Sequence, residues 1–185
     1  MKKIAVFGAG GCGREVKWVI DDINRANPLW EFIGFFDDDF SNAKNIDPRF
    51  FLGGMNDLNQ WSEPLSLVFG IGNPVVKRKL VNQVSNPNIS FPTLVHPSAL
   101  LSGQNISLGE GSVIYSGTAF MFDIKVGKHV LISLHCTIGH DAVIGDYSSI
   151  MPSVNISGEV VLGEAVYCGT GGRIIGTSSR SSTPV

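Results

Sequence analysis

Apolar residues in the second half of the chain return at every sixth position, a spacing that fits neither a 3.6-residue helix nor a two-residue strand alternation. Counted in hexads from Ile106, the third position reads Leu108, Ile114, Phe120, Val126, Ile132, Ile138, Ile144, Ile150, Ile156, Leu162, Cys168 and Ile174, all apolar. First positions are mostly small or aliphatic, as at Ile124, Val130, Ala142, Val154 and Val160, and glycine often follows the apolar site, as at Gly109, Gly127, Gly139, Gly145, Gly163 and Gly169. Three hexads close one triangular coil of a left-handed parallel β-helix, whose third-position side chains point inward and stack coil upon coil. The pattern predicts about four such coils and one vertical stack through Phe120, Ile138, Ile156 and Ile174, with corners turned by Gly, Asn, Asp and Ser. Residues 97–105 read as an irregular lead-in. Residues 178–185, rich in Ser and Thr, fit no hexad and read as a disordered or non-native tail.

The first half follows a different rhythm. Lys3 to Phe7 is a short apolar strand, Gly8-Ala9-Gly10-Gly11-Cys12-Gly13 a glycine turn, and Arg14 to Ile23 carries helical spacing. Glycines let the backbone approach a phosphate, and a helix N-terminus offers free N–H groups and partial positive charge. A second strand, Phe32 to Phe36, ends in Asp37-Asp38-Asp39, where a parallel α/β unit places an acidic residue against a ribose or base. A third, Leu67 to Phe69, runs into Gly70-Ile71-Gly72-Asn73-Pro74 and a helix from Val75 to Val84. Each glycine turn also has a plainer explanation, close packing of strand on helix. Two turns at neighbouring strand ends together with an acidic strand end favour a nucleotide site. With room for three or four strands rather than six, the half predicts a Rossmann-like nucleotide-binding domain and disfavours a dinucleotide.

Composition supports two domains. Residues 1–95 carry ten basic and ten acidic side chains, residues 96–185 only four and six. The expected boundaries are 1–95 for the Rossmann-like domain and 96–177 for the β-helix. A net charge of −2 without a basic run gives no footprint for nucleic acid or an anionic membrane. The apolar stretch after Lys2 and Lys3 is broken by glycines, Arg14 and Glu15, so it is neither a secretion signal nor a spanning helix, and a cytoplasmic protein is expected. Cys12, Cys136 and Cys168 are odd in number and lack metal-type spacing, which points to reduced thiols.

The four histidines are His96, His129, His135 and His140. His96, before Pro97 at the junction, reads as a linker residue. His140 projects from a corner and is followed by Asp141. A neutral imidazole there could take a proton from an attacking hydroxyl or amine while the carboxylate fixes its tautomer, or it could be a solvated corner histidine. His135 and His140 have the five-residue offset that γ-class carbonic anhydrases, also hexapeptide β-helices, use for two zinc ligands. The position two coils before His135 is Ala99, which cannot coordinate.

The whole chain resembles the bacterial sialic-acid O-acetyltransferases and UDP-4-amino-sugar N-acetyltransferases, the NeuD and PglD family. The matching segments are Val6 through Val16, Gly34-Phe35-Phe36-Asp37-Asp38, Gly70-Ile71-Gly72-Asn73, Thr93 through Ala99, and Ile138-Gly139-His140-Asp141 with Ser157-Gly158. The resemblance implies an acetyl-CoA-dependent transferase acting on an amino or hydroxyl group of a sugar or UDP-sugar in surface-polysaccharide or sialic-acid biosynthesis, working as a homotrimer with no metal. It implies His140 as general base assisted by Asp141, and Gly158 and Gly176 along the acetyl-CoA groove. Gly8, Gly10, Gly11, Gly13, Arg14, Asp37, Asp38, Gly72 and Asn73 would lie around the nucleotide-sugar. Cys12 stands where the family carries a histidine or aromatic residue, and the family continues one coil beyond the position of Gly176. A γ-carbonic-anhydrase-like zinc enzyme and a non-catalytic nucleotide-sugar-binding trimer are the alternatives.

Overall fold

The computed structural model describes residues 1–101 and 104–176, so the tail expected over 178–185 lies outside the described residues. The chain begins with β1 (Lys2–Phe7), α1 (Gly11–Ala26), β2 (Trp30–Phe36), β3 (Phe51–Gly53), α2 (Met55–Asn59), β4 (Leu65–Phe69), α3 (Pro74–Val81) and β5 (Ile89–Ser90). The strands form one parallel sheet in the order β3-β2-β1-β4-β5. The sequence predicts three or four strands and the sheet has five, because three-residue β3 and two-residue β5 are too short to show a period. β1 and β4 are buried on both faces, from Ile4 to Phe7 and from Leu65 to Phe69, as the central strands of a covered parallel sheet must be. Strand order reverses between β1 and β4. Both glycine turns, Gly8 to Gly13 and Gly70 to Asn73, leave the sheet at that switch point, where open α/β sheets bind their ligands.

The second half is the three-faced prism that the six-residue period predicts. One face stacks Leu94–Val95, Val113–Ile114, Leu131–Ile132, Ser149–Ile150 and Tyr167–Cys168. The next stacks Leu100–Leu101, Ala119–Phe120, Thr137–Ile138, Asn155–Ile156 and Arg173–Ile174. The third stacks Ile106–Leu108, Ile124–Val126, Val143–Ile144 and Val161–Leu162. Phe120, Ile138, Ile156 and Ile174 are in direct register, and all twelve third-position residues join the prism core. The irregular lead-in over 97–105 is corrected. Leu94–Val95 and Leu100–Leu101 are strands of a first coil, hidden in the sequence because their partners Val113 and Ala119 lie nineteen residues on instead of eighteen.

The corners also differ from expectation. From Phe120 on, the left-handed residue lies three positions after the inward side chain and is usually not glycine: Asp123, His129, His135, Asp141, Tyr147, Ser153, Glu159 and Ala165 have φ between 52° and 62°. Such residues cost about 1–2 kcal/mol each relative to right-handed backbone. Their N–H groups donate to the preceding coil, as Asp141 N does to Phe122 O at 3.1 Å and Glu159 N to His140 O at 2.8 Å, which offsets that cost. The glycines directly after the inward residue serve another purpose, the approach of coil on coil: a Cβ on Gly145 would sit 2.5 Å from the Gly163 backbone.

The two halves share a core. Val16, Val19 and Ile20 of α1 pack with Leu94, Val113, Tyr115 and Leu131 of the prism. Lys77 of α3, 1% exposed, donates from Nζ to Ser148 O at 3.2 Å and Ser149 Oγ at 3.0 Å. His96, read in the sequence as a linker residue, is a buried dock between the halves. Its ring lies 2.7 Å from Asp22 Oδ2 of α1, its Nδ1 accepts from Ser98 N, and Trp18 packs on its face.

Candidate active site

His140 and Asp141 sit on the corner between two prism faces. The left-handed backbone at Asp141 turns its carboxylate back onto the preceding side chain, and Oδ2 lies 2.8 Å from His140 Nδ1. A carboxylate accepting the Nδ1 proton leaves Nε2 with its lone pair outward, the form a general base requires. Their side chains are 46% and 53% exposed. The eighteen-residue stack through this corner is Phe122, His140, Gly158 and Gly176. The Phe122 ring lies on the imidazole at 5.6 Å and 16°, and a Cβ on Gly158 would come within 2.5 Å of Nε2. Gly158 is therefore the floor on which the imidazole rests. Its neighbours Ser157 N and Glu159 N donate to Ile174 O and His140 O, while a Cβ on Gly176 would sit 3.3 Å from Gly158 O.

The glycine turn separates into two kinds of position. Gly8, at φ 110°, and Gly13 are packing residues: a Cβ on Gly8 would meet Gly70 O at 2.7 Å, and one on Gly13 would collide with Gly8 O. Gly10, Gly11 and Gly72 face open space, and Arg14 is exposed. Asp37 accepts from Ala9 N at 2.8 Å through Oδ2 and from Asp39 N at 2.9 Å through Oδ1, so it braces the turn. Asp38 Oδ1 accepts from Met55 N at 2.7 Å at the start of α2, and Asn73 caps α3 through Val75 N and Val76 N. Five of the residues expected around a nucleotide, Gly8, Gly13, Asp37, Asp38 and Asn73, thus have structural duties of their own. A hollow of about 310 Å³ borders the open side of the turn, lined by Gly11, Arg14, Glu15 and Trp18. A larger cleft of about 760 Å³ lies at the opposite edge of the sheet, between Lys2, Ser66, Phe91 and Glu110, and gathers no converging chemistry.

Three features at the site escape the sequence reading. Phe122 was visible only as an aromatic residue eighteen positions before His140. Cys12 points into the seam with the prism, where its thiol, Tyr115 and Lys77 meet. Burial raises the Cys12 thiol to about 11 and lowers Lys77 to about 7. His129 is 4% exposed, stacked on Tyr147 at 5.7 Å, and burial lowers it to about 4. Among the described residues no three His, Cys, Asp or Glu side chains are grouped to hold a metal ion, and His135 instead lies over Gly117.

The architecture defines a class: a Rossmann-like domain fused to a hexapeptide β-helix with a histidine–carboxylate corner. The family model described as the PglD N-terminal domain matches residues 3–84. GDP-perosamine N-acetyltransferase of Escherichia coli O157:H7 is 21% identical over 171 residues, covering 92% of this chain and 77% of that protein. UDP-N-acetylbacillosamine N-acetyltransferase of Bacillus subtilis strain 168 is 29% identical over 117 residues, covering 62% of this chain and 51% of that one. Among solved structures, WeeI from Acinetobacter baumannii AYE matches with a TM-score of 0.66 at 19% identity, covering 96% of this chain and 98% of its own. PerB from Caulobacter crescentus, solved with CoA and GDP-perosamine, matches at 0.62 and 18%, covering 95% and 89%. The first domain thus matches the PglD N-terminal domain model, and the whole chain shares the fold of these solved structures.

Proposed function

We propose that the chain transfers the acetyl group of acetyl-CoA to the amino group of a nucleotide-activated amino sugar, with His140 as general base. The observation that carries this reading is the His140 imidazole, oriented by Asp141 on a prism corner of a chain whose first domain keeps an open glycine turn at its switch point. The names of the relatives support an amine acceptor, and CoA with GDP-perosamine in PerB supports both substrates. A place in surface-polysaccharide or sialic-acid biosynthesis, in the cytoplasm, is part of the proposal. No helix among the described residues is long and apolar enough to cross a membrane.

In this mechanism the acceptor nitrogen attacks the thioester carbonyl while His140 Nε2 removes its proton, a role worth about 10²- to 10⁴-fold in rate. The Gly158 N–H stabilises the oxyanion of the tetrahedral intermediate. As the C–S bond breaks, the imidazolium returns its proton to the departing CoA thiolate. Gly10 and Gly11 admit the nucleotide phosphates to the N-terminus of α1, and Arg14 adds charge at the rim. Gly176 lines the path of pantetheine between two prisms of a homotrimer. Half-exposed Met121 and exposed Val161 and Ile175 give the prism an apolar surface for that assembly.

The test is acetyl transfer by wild type and His140→Asn, using acetyl-CoA with GDP- and UDP-linked 4-amino sugars. Turnover is expected to fall at least about 10²-fold in the variant. Undiminished turnover overturns the assignment of the base.

A further inference from the structure

An imidazole on a prism corner is a poor base unless something holds it still. Nearly half exposed, His140 has two side-chain torsions to restrict, and its single hydrogen bond to Asp141 fixes one edge of the ring but leaves it free to swing about that bond. The coil repeat supplies the remaining constraints. Gly158, eighteen residues on, has no Cβ, so the ring can lie directly on its backbone. Phe122, eighteen residues back, covers the opposite face at 5.6 Å with planes only 16° apart. Phe122 is 43% exposed and takes no part in the prism core, so the imidazole is its aromatic partner.

We propose that Phe122 is a positioning residue for the reaction, the lid of a slot whose floor is Gly158 and whose back wall is Asp141. The slot holds the imidazole in the one orientation that turns Nε2 outward toward an acceptor. The inference rests on His140 acting as the base, but the geometry it asserts can be measured without turnover. A stacked benzene ring shields protons above its face, so the His140 ring protons resonate upfield of those of an unstacked histidine.

The experiment uses the full chain as wild type, Phe122→Leu, Phe122→Tyr and His140→Asn, with thermal melts to confirm folding. Histidine ring resonances are recorded without substrate, His140 being assigned by its loss in His140→Asn. In Phe122→Leu the His140 protons are expected to move downfield and kcat to fall about three- to tenfold (about 0.6–1.4 kcal/mol at 1.36 kcal/mol per decade), with KM for acetyl-CoA unchanged. Phe122→Tyr keeps the ring and is expected to restore both. Unmoved resonances in Phe122→Leu overturn the slot, whatever the activity. A raised KM for acetyl-CoA at unchanged kcat overturns positioning and makes Phe122 a contact to the donor. Full activity in His140→Asn sinks the base assignment alone, leaving the stacking to be judged by its resonances.

Discussion

At the scale of single residues, the β-helix separates glycines that serve chemistry from glycines that serve packing. The atoms nearest a Cβ on Gly158 all belong to the imidazole of His140, the movable end of a half-exposed side chain. Gly158→Ala is therefore expected to leave the melting temperature within about 2 °C of wild type, an overpacking strain well under 1 kcal/mol, while turnover falls at least tenfold because the base is pushed out of its slot. A Cβ on Gly139 collides instead with the backbone of Ser157 and Gly158, which cannot move without parting two coils. Gly139→Ala should lower stability by about 1–3 kcal/mol in urea unfolding. His140 and Asp141 were legible in the sequence because a histidine–acid pair interrupts an otherwise apolar and small-residue repeat. Phe122 was not, because its role depends on a vertical neighbour, and neighbours eighteen residues apart acquire meaning only once the coil is closed.

At the scale of elements, the strand–turn–helix at the N-terminus joins two explanations that the sequence left side by side. Gly13 is demanded by packing, since its Cα sits against Gly8 O and beneath Gly70. Gly11, the first residue of α1, has nothing within 4 Å of a built Cβ. Gly13→Ala should unfold or strongly destabilise the first domain. Gly11→Ala should leave the melting point unchanged or slightly raised, since alanine is favoured over glycine in a helix by up to about 1 kcal/mol. If phosphates approach the turn there, the same change weakens a GDP- or UDP-sugar at least tenfold in calorimetry, and unchanged affinity would locate the nucleotide elsewhere. The six-residue period was strong enough to place every inward side chain from Leu108 to Ile174. It could not show the first coil, where one extra residue shifts the phase, nor the inward hydroxyls. Ser112, Thr118 and Ser148 are fully buried at first-position sites because each donates to a carbonyl of its own coil, to Gly127 O, Ser133 O and Gly163 O.

At the scale of the molecule, the seam between the halves makes stability depend on pH through groups that have no role in the chemistry. Lys77 is held at about 7, well below its usual 10.5, by burial at the seam, against a smaller opposing pull from the Cys12 thiol. Between pH 7 and 10.5 the unfolded chain binds the proton that the folded chain has released, so stability rises with pH across that window. The buried thiols act in the opposite sense. Cys12 is raised from 9.0 to about 11, so above pH 9 the unfolded chain ionises first and stability falls. His129, lowered from 6.5 to about 4 by desolvation among Phe69, Phe91 and Tyr147, adds a second rise between pH 4 and 6.5. The melting temperature should therefore climb from pH 4, climb again between pH 7 and 9, and turn down beyond. Lys77 contributes at most about 2 kcal/mol between pH 7 and 9, since one unit of differential protonation is about 1.36 kcal/mol and its ionisation is only half suppressed at the lower end. Lys77→Met removes the titrating group but keeps the stem that fills the seam. It is expected to flatten the rise between pH 7 and 9 and to keep most of the His129 window, which desolvation dominates, narrowed by loss of the Lys77 charge that also lowers His129; differential scanning calorimetry from pH 4 to 9 reads both. A melting profile for Lys77→Met parallel to wild type from pH 7 to 9 would mean that the ammonium is solvated at the seam, and that the two halves are tied by α1, His96 and Asp22 rather than by α3.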